Sequence, residues 1–244
     1  MLSGCSDPQR DPAQPSTGAG SDAAAPLDAG SVLSDADTPD APARDASTDA
    51  GTRPVPLCTS VAHIGDSLTA YTVEPLAQAY EDAGYEIRID AYGGRAVLER
   101  LPEDPATGKQ AALNIVRSGF DGCWVVALGT NDTANVAAGA NHTRGDSIDA
   151  MMEAIDPSKA AHVMWVNTFT EKSSGYWKNA NMVLWNEALV EAQTRWPNLW
   201  IFDWATQAAT GVAPFTDGIH HTEAGYAVRN PAIVQALDGF SKPR

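Results

Sequence analysis

The chain reads as an α/β protein, a three-layer α/β/α sandwich built on a mostly parallel five-stranded sheet. Three observations predict this. Strand-like runs alternate with stretches of helical period from residue 59 to the C-terminus. The run 123–128 (CWVVAL) is apolar throughout, as in a strand covered on both faces. Glycine-bearing turns follow several of the strand-like runs, where an open parallel sheet gathers its ligands.

The elements follow in order. Residues 59–64 form a buried first strand. Val73, Leu76, Ala77 and Tyr80 then fall at i, i+3, i+4 and i+7, one face of a helix. Pro75 sits in the first turn of that helix and Gly84 marks its stop. Tyr85, Ile87, Ile89 and Ala91 alternate with Glu86, Arg88 and Asp90, the pattern of a half-exposed edge strand. A helix over 111–118 leads to the central strand at 123–128. Thr143 begins a helix that aligns Ile148, Met151, Met152 and Ile155. Residues 161–167 give a fourth strand, 182–196 a helix stopped by Pro197, and 199–203 a fifth strand. Thr222 opens a final helical stretch that Pro231 breaks or restarts. With the second strand at an edge, the predicted order is 2-1-3-4-5.

The 244 residues suffice for one ordinary domain with something added. The addition is the N-terminus. Of the 51 residues from 6 to 56, 42 are Ala, Asp, Pro, Ser, Gly or Thr, and none is aromatic. Such a segment buries too little apolar surface to offset its ordering entropy, so it reads as a disordered linker. Residues 1–56 are therefore set apart from a folded domain at 57–244. The formal net charge of −15 argues against nucleic-acid binding, which needs clustered Lys and Arg. No apolar run approaches the ~18 residues of a membrane span. Leu2-Ser3-Gly4-Cys5 resembles a bacterial lipobox, in which Cys5 would be lipidated and become the mature N-terminus. A signal peptide needs a basic region and an apolar region before the cysteine, and only four residues precede Cys5. That reading therefore requires a start upstream of the recorded one. An unremarkable cysteine in the tail is the alternative. Membrane attachment is expected only through such an anchor.

Chemistry concentrates in four turns. Gly65-Asp66-Ser67-Leu68 places a serine after the first strand and before a helix, where N–H groups favour a developing anion. Serine needs a base and an orienter. Asp217-Gly218-Ile219-His220, after the fifth strand, offers both on one tight loop. Gly93-Gly94-Arg95 and Gly129-Thr130-Asn131-Asp132 lie between them. In this order, across residues 58–240, the four stretches resemble the SGNH (GDSL) hydrolases.

Ser67 is the candidate nucleophile, with a helix cap as its plainer role. His220 is the candidate base, and Asp217 would orient its ring. His221 is the alternative base. The resemblance implies an oxyanion hole made by the Ser67 N–H, the Gly94 N–H and the Asn131 side chain, with Gly93 as the alternative to Gly94. It also implies the family's sheet order and no cofactor. No metal site is expected, since no second carboxylate–histidine cluster accompanies Asp217 and His220. His63 is expected to be a hydrogen-bonded core residue. Tyr176 and Trp177, in a loop leaving the fourth strand, either roof the pocket or merely pack that loop.

The expected activity is that of a serine esterase, exported and either secreted or tethered at a cell surface, monomeric, acting on a small-molecule or polysaccharide ester. O-acetyl carbohydrate esters follow only from family analogy. An O-acyltransferase and a non-catalytic surface binding module are the alternatives. With Cys5 assigned to lipidation, Cys58 and Cys123 remain for a disulfide. In the order 2-1-3-4-5 both sit at the amino ends of neighbouring strands, within bridging distance. Two buried thiols are the alternative.

Overall fold

The computed structural model describes residues 58–156 and 161–240, so Cys5 and the linker lie outside the described residues. The first strand, β1 (Ser60–Gly65), ends at the serine turn. A single helical turn, α1 (Ser67–Ala70), comes next, and the chain breaks at Tyr71-Thr72 before α2 (Val73–Asp82) begins. Leu76 and Tyr80 are buried along α2, as the spacing predicts, and Gly84 at φ 89° turns the chain away. The second strand is β2 (Glu86–Ala91). After a long excursion α3 (Gly108–Arg117) leads into β3 (Cys123–Ala127), buried at every position.

Two short helices were not legible in the sequence. One is α4 (Thr130–Ala137), which begins inside the third glycine turn. α5 (Arg144–Ile155) follows, and Thr143 and Asp146 close a reciprocal capping box at its start. Then come β4 (Val163–Val166), α6 (Asn179–Ala192) and β5 (Leu199–Phe202). The other unforeseen helix, α7 (Trp204–Ala209), starts at Asp203, whose carboxylate accepts from the Thr206 N–H. α8 (Glu223–Phe240) runs through Pro231 without ending there, which corrects the expected break. Arg229 and Asn230, buried just before the proline, bond Leu68 and Thr72, so tertiary contacts hold the helix across the missing N–H.

The sheet order is β2-β1-β3-β4-β5 and every pairing is parallel. Alternate residues separate two apolar layers. Ala62, Ile64, Trp124, Val126 and Trp165 pack with Ile148, Met151 and Trp185 under α5 and α6. Val61, Val125 and Met164 pack with Leu76, Tyr80, Ile233 and Leu237 under α2 and α8. At the amino ends Cys58 and Cys123 form a disulfide with Cα atoms 5.7 Å apart. It closes a loop of 65 residues, worth about 4 kcal/mol on the chain-entropy account. All four chemical turns lie at the opposite, carboxyl end. Among the described residues no helix is long and apolar enough to cross a membrane.

Candidate active site

The serine turn is built by close packing. A Cβ at Gly65 would lie 2.2 Å from Thr69 Oγ1, so only glycine lets α1 fold back on β1. Asp66 caps α1: its Oδ1 accepts from the Leu68 N–H at 2.9 Å. Ser67 follows, with 8% of its surface accessible.

The loop after α7 delivers the other two groups. Asp217 Oδ1 accepts from the N–H groups of Ile219 at 2.9 Å and His220 at 2.7 Å. Its Oδ2 lies 2.9 Å from His220 Nδ1. Partial burial opposes the Asp217 charge, but these hydrogen bonds outweigh it and hold the carboxyl well below the usual range. An ionised carboxylate only accepts, so Nδ1 carries the ring proton and Nε2 is left with a lone pair. Nε2 lies 2.9 Å from Ser67 Oγ and accepts its hydrogen.

His221 lies outside this chain of hydrogen bonds. It is 4% exposed, donates from Nδ1 to the Ala213 carbonyl at 3.2 Å, and sits among Trp204, Phe215 and Tyr226. Burial, aided by the Arg229 charge, pushes its pKa down to about 4. His63 is the hydrogen-bonded core histidine expected, with Nδ1 3.0 Å from Tyr80 Oη and Nε2 3.2 Å from Thr69 Oγ1. Burial, with help from Arg229, pushes it down to about 3.

The second turn is fixed from beneath. The Arg95 N–H bonds the Tyr92 carbonyl across Gly93-Gly94, and Gly94 takes φ +76°, closed to most side chains. The Arg95 side chain is buried, forked onto Asp104 at 2.9 and 3.0 Å and bonded to Asp90 at 2.7 Å. The third turn is tied to the second, since Asn131 Nδ2 donates to the Arg95 carbonyl at 3.1 Å. Asp132 Oδ1 accepts from the Val97 N–H at 2.8 Å. Burial raises both turn carboxylates, Asp66 to about 6 and Asp132 to about 7.

Ser67, Gly93, Gly94, Asn131 and His220 all line one cleft of about 400 Å³. Trp177 lines it too, its Nε1 donating to Asn131 Oδ1 at 3.4 Å, so this aromatic reaches the pocket. Tyr176 is 53% exposed and is not among the cleft residues. The sequence reading missed Tyr71, whose ring lies 5.2 Å from that of His220, and it missed Leu101 and Ile219. The signal for Tyr71 was faint: a large aromatic four residues after the serine, one helical turn on. The Gly93-Gly94-Arg95 motif gives Arg95 no role of its own, and Asp90 and Asp104, both near in sequence, are the only hint of its buried pairing. Among the described residues no group of three His, Cys, Asp or Glu side chains is placed to hold a metal ion.

No family model and no curated protein sequence matches the chain. Solved structures do. The C-terminal catalytic domain of a peptidoglycan O-acetyltransferase from Streptococcus pneumoniae is 19% identical. It aligns over 74% of this chain and 92% of its own, with a TM-score of 0.55. A GDSL-like lipase from Bacteroides thetaiotaomicron is 15% identical over 77% of this chain and 92% of its own, with a TM-score of 0.54. A carbohydrate acetylesterase from Sinorhizobium meliloti is 19% identical over 74% of this chain and 98% of its own, again with a TM-score of 0.54. At these identities the likeness is one of fold, and the fold is that of the SGNH (GDSL) hydrolases.

Proposed function

We propose that the protein is a serine esterase that cleaves acyl esters through Ser67, His220 and Asp217. The observation that carries this is the continuous chain of hydrogen bonds from Asp217 through His220 to Ser67 Oγ. In acylation Oγ attacks the acyl carbon while its proton passes to His220 Nε2, and the imidazolium is stabilised by Asp217. Nε2 then gives that proton to the departing alcohol oxygen. Water, deprotonated by the same nitrogen, releases the acid from Ser67.

The developing oxyanion is received by the N–H groups of Ser67 and Gly94 and by Asn131 Nδ2. Nδ2 has two hydrogens, of which one is given to Arg95, so a second remains for the oxyanion. Trp177 holds the other end of that amide in place. Short acyl esters, O-acetyl carbohydrate esters among them, are the substrates proposed. The open cleft edged by Tyr71 and Trp177, and the S. meliloti acetylesterase of the same fold, support that choice. Transfer of the acyl group to a sugar hydroxyl is a second reading, favoured by the likeness to the pneumococcal transferase domain. The disulfide favours an exported protein, and Cys5 remains the proposed lipid anchor.

Fluorophosphonate labelling followed by peptide mapping tests the mechanism. The adduct is expected on Ser67, and a label on another serine overturns the assignment. Release of free acid in the presence of sugar acceptors, rather than acylated sugar, separates hydrolysis from transfer.

A further inference from the structure

We infer that the cavity between α2 and α8 is a second subsite of the reaction, one that takes an apolar group carried by the alcohol half of the ester. This rests on the esterase reading of Ser67 and His220. The cavity holds about 480 Å³, within the ~300–1,000 Å³ of small-molecule sites. Its walls are Tyr71, Pro75, Ala79, Tyr226, Ala227 and Pro231, with Thr72 and Asn230 between them.

Its position assigns the half of the substrate. Oγ of Ser67 bonds to the acyl carbon, and the bond from that carbon to the alcohol oxygen breaks as His220 Nε2 returns the serine proton to it. The alcohol oxygen must therefore lie against His220, while the carbonyl oxygen faces Gly94 and Asn131. Tyr71 packs against the His220 ring and lines both the catalytic cleft and this cavity. An alcohol chain leaving the reacting centre past His220 meets Tyr71 and continues into the space behind it.

Its chemistry assigns the kind of group. No Lys or Arg lines the cavity and Glu223 stands at its wall, so an anionic group is disfavoured and a neutral alkyl or aryl group fits. One polar feature is built in. Pro231 has no N–H, so the Ala227 carbonyl lacks its helical donor, and both residues line the cavity.

Acetate esters of ethanol, butanol and hexanol, assayed on the full chain, test the subsite. kcat/KM is expected to rise about two- to fourfold per added methylene as each is buried. Ala227→Phe, at an exposed position of α8, should fill the cavity and lower the hexyl-to-ethyl ratio at least tenfold. Ala79→Leu should do the same from the α2 wall, so a folding fault in one variant leaves the other to report. A flat series in the unmodified protein overturns the subsite, as does a rise that both variants keep. No turnover of any acetate together with no fluorophosphonate adduct at Ser67 overturns the esterase reading itself.

Discussion

The turn that carries Ser67 and the loop that carries His220 meet at one hydrogen bond, yet they are held in opposite ways. Around Ser67 the support is buried and distant in sequence. Arg229 of α8, 2% exposed, donates to the Leu68 carbonyl, Asn230 bonds Thr72, and His63 bonds Thr69. Asp66 and Arg229 are both buried there, burial raises the Asp66 pKa, and the Arg229 charge partly offsets that rise. Around His220 the support is local. Asp217, with a side chain 49% exposed, takes its hydrogen bonds from residues two and three further on. A backbone bond from the Thr216 N–H to the His220 carbonyl closes the loop. The proposed nucleophile is thus held by the core, and the proposed base by its own loop. Damage to the serine's surroundings should appear as lost stability, and damage to the loop as lost turnover.

The strongest test of that contrast is removal of the reacting groups. Ser67→Ala and His220→Ala should each lower kcat by about a millionfold, and the double variant should lose little more, because the two act as one unit. Thermal melting of all three should stay close to that of the unmodified protein. Asp217→Asn comes next. It should cost about ten-thousandfold in kcat, since the ring loses the acceptor that fixes its tautomer. A large fall in melting temperature for this variant would show that the loop is not self-supporting.

On the other side of the contrast, Arg229→Leu should be felt in folding. It strips the Leu68 carbonyl of its buried donor and removes the charge that favours the Asp66 carboxylate, at a cost of about 3 kcal/mol in urea unfolding. Unchanged stability would break the comparison at its root. The smallest effect concerns His63. Its folded pKa of about 3 lies below the unfolded value near 6.5, so the unfolded chain takes up a proton the folded one refuses as pH falls. Stability from this group is therefore complete above pH ~6.5 and lost as pH drops. Asp66 and Asp132, raised to about 6 and 7, act in the opposite sense over pH ~4–7, so the histidine is best read by difference. Between pH 7 and pH 4 the stability of His63→Gln relative to the unmodified protein should improve by roughly 3 kcal/mol. A difference that does not change with pH would place the ring in contact with water.

By itself the sequence determined the layered α/β fold, the edge position of β2 and the end of the sheet where chemistry gathers. Period-2 and period-3.6 patterns report which side of each element is buried, and that is local information. It also marked Ser67, Asp217 and His220, because each sits in a turn whose glycines and acidic residues are legible over a few positions. The sheet order further implied the Cys58–Cys123 pairing that the structure shows. Other features were decided only by tertiary structure. Pro231 continues α8 because Arg229 and Asn230 anchor the helix to α1 and Thr72, a contact across some 160 residues. The sequence already preferred His220 to His221, and the structure adds why the second ring stands apart, caged by Trp204, Phe215 and Tyr226. Tyr71 and Trp177 enter the site from loops whose sequence carries no period to read. Local patterns specify what a segment can bury. Which distant charge, ring or helix arrives to bury it is settled only when the sheet brings the segments together.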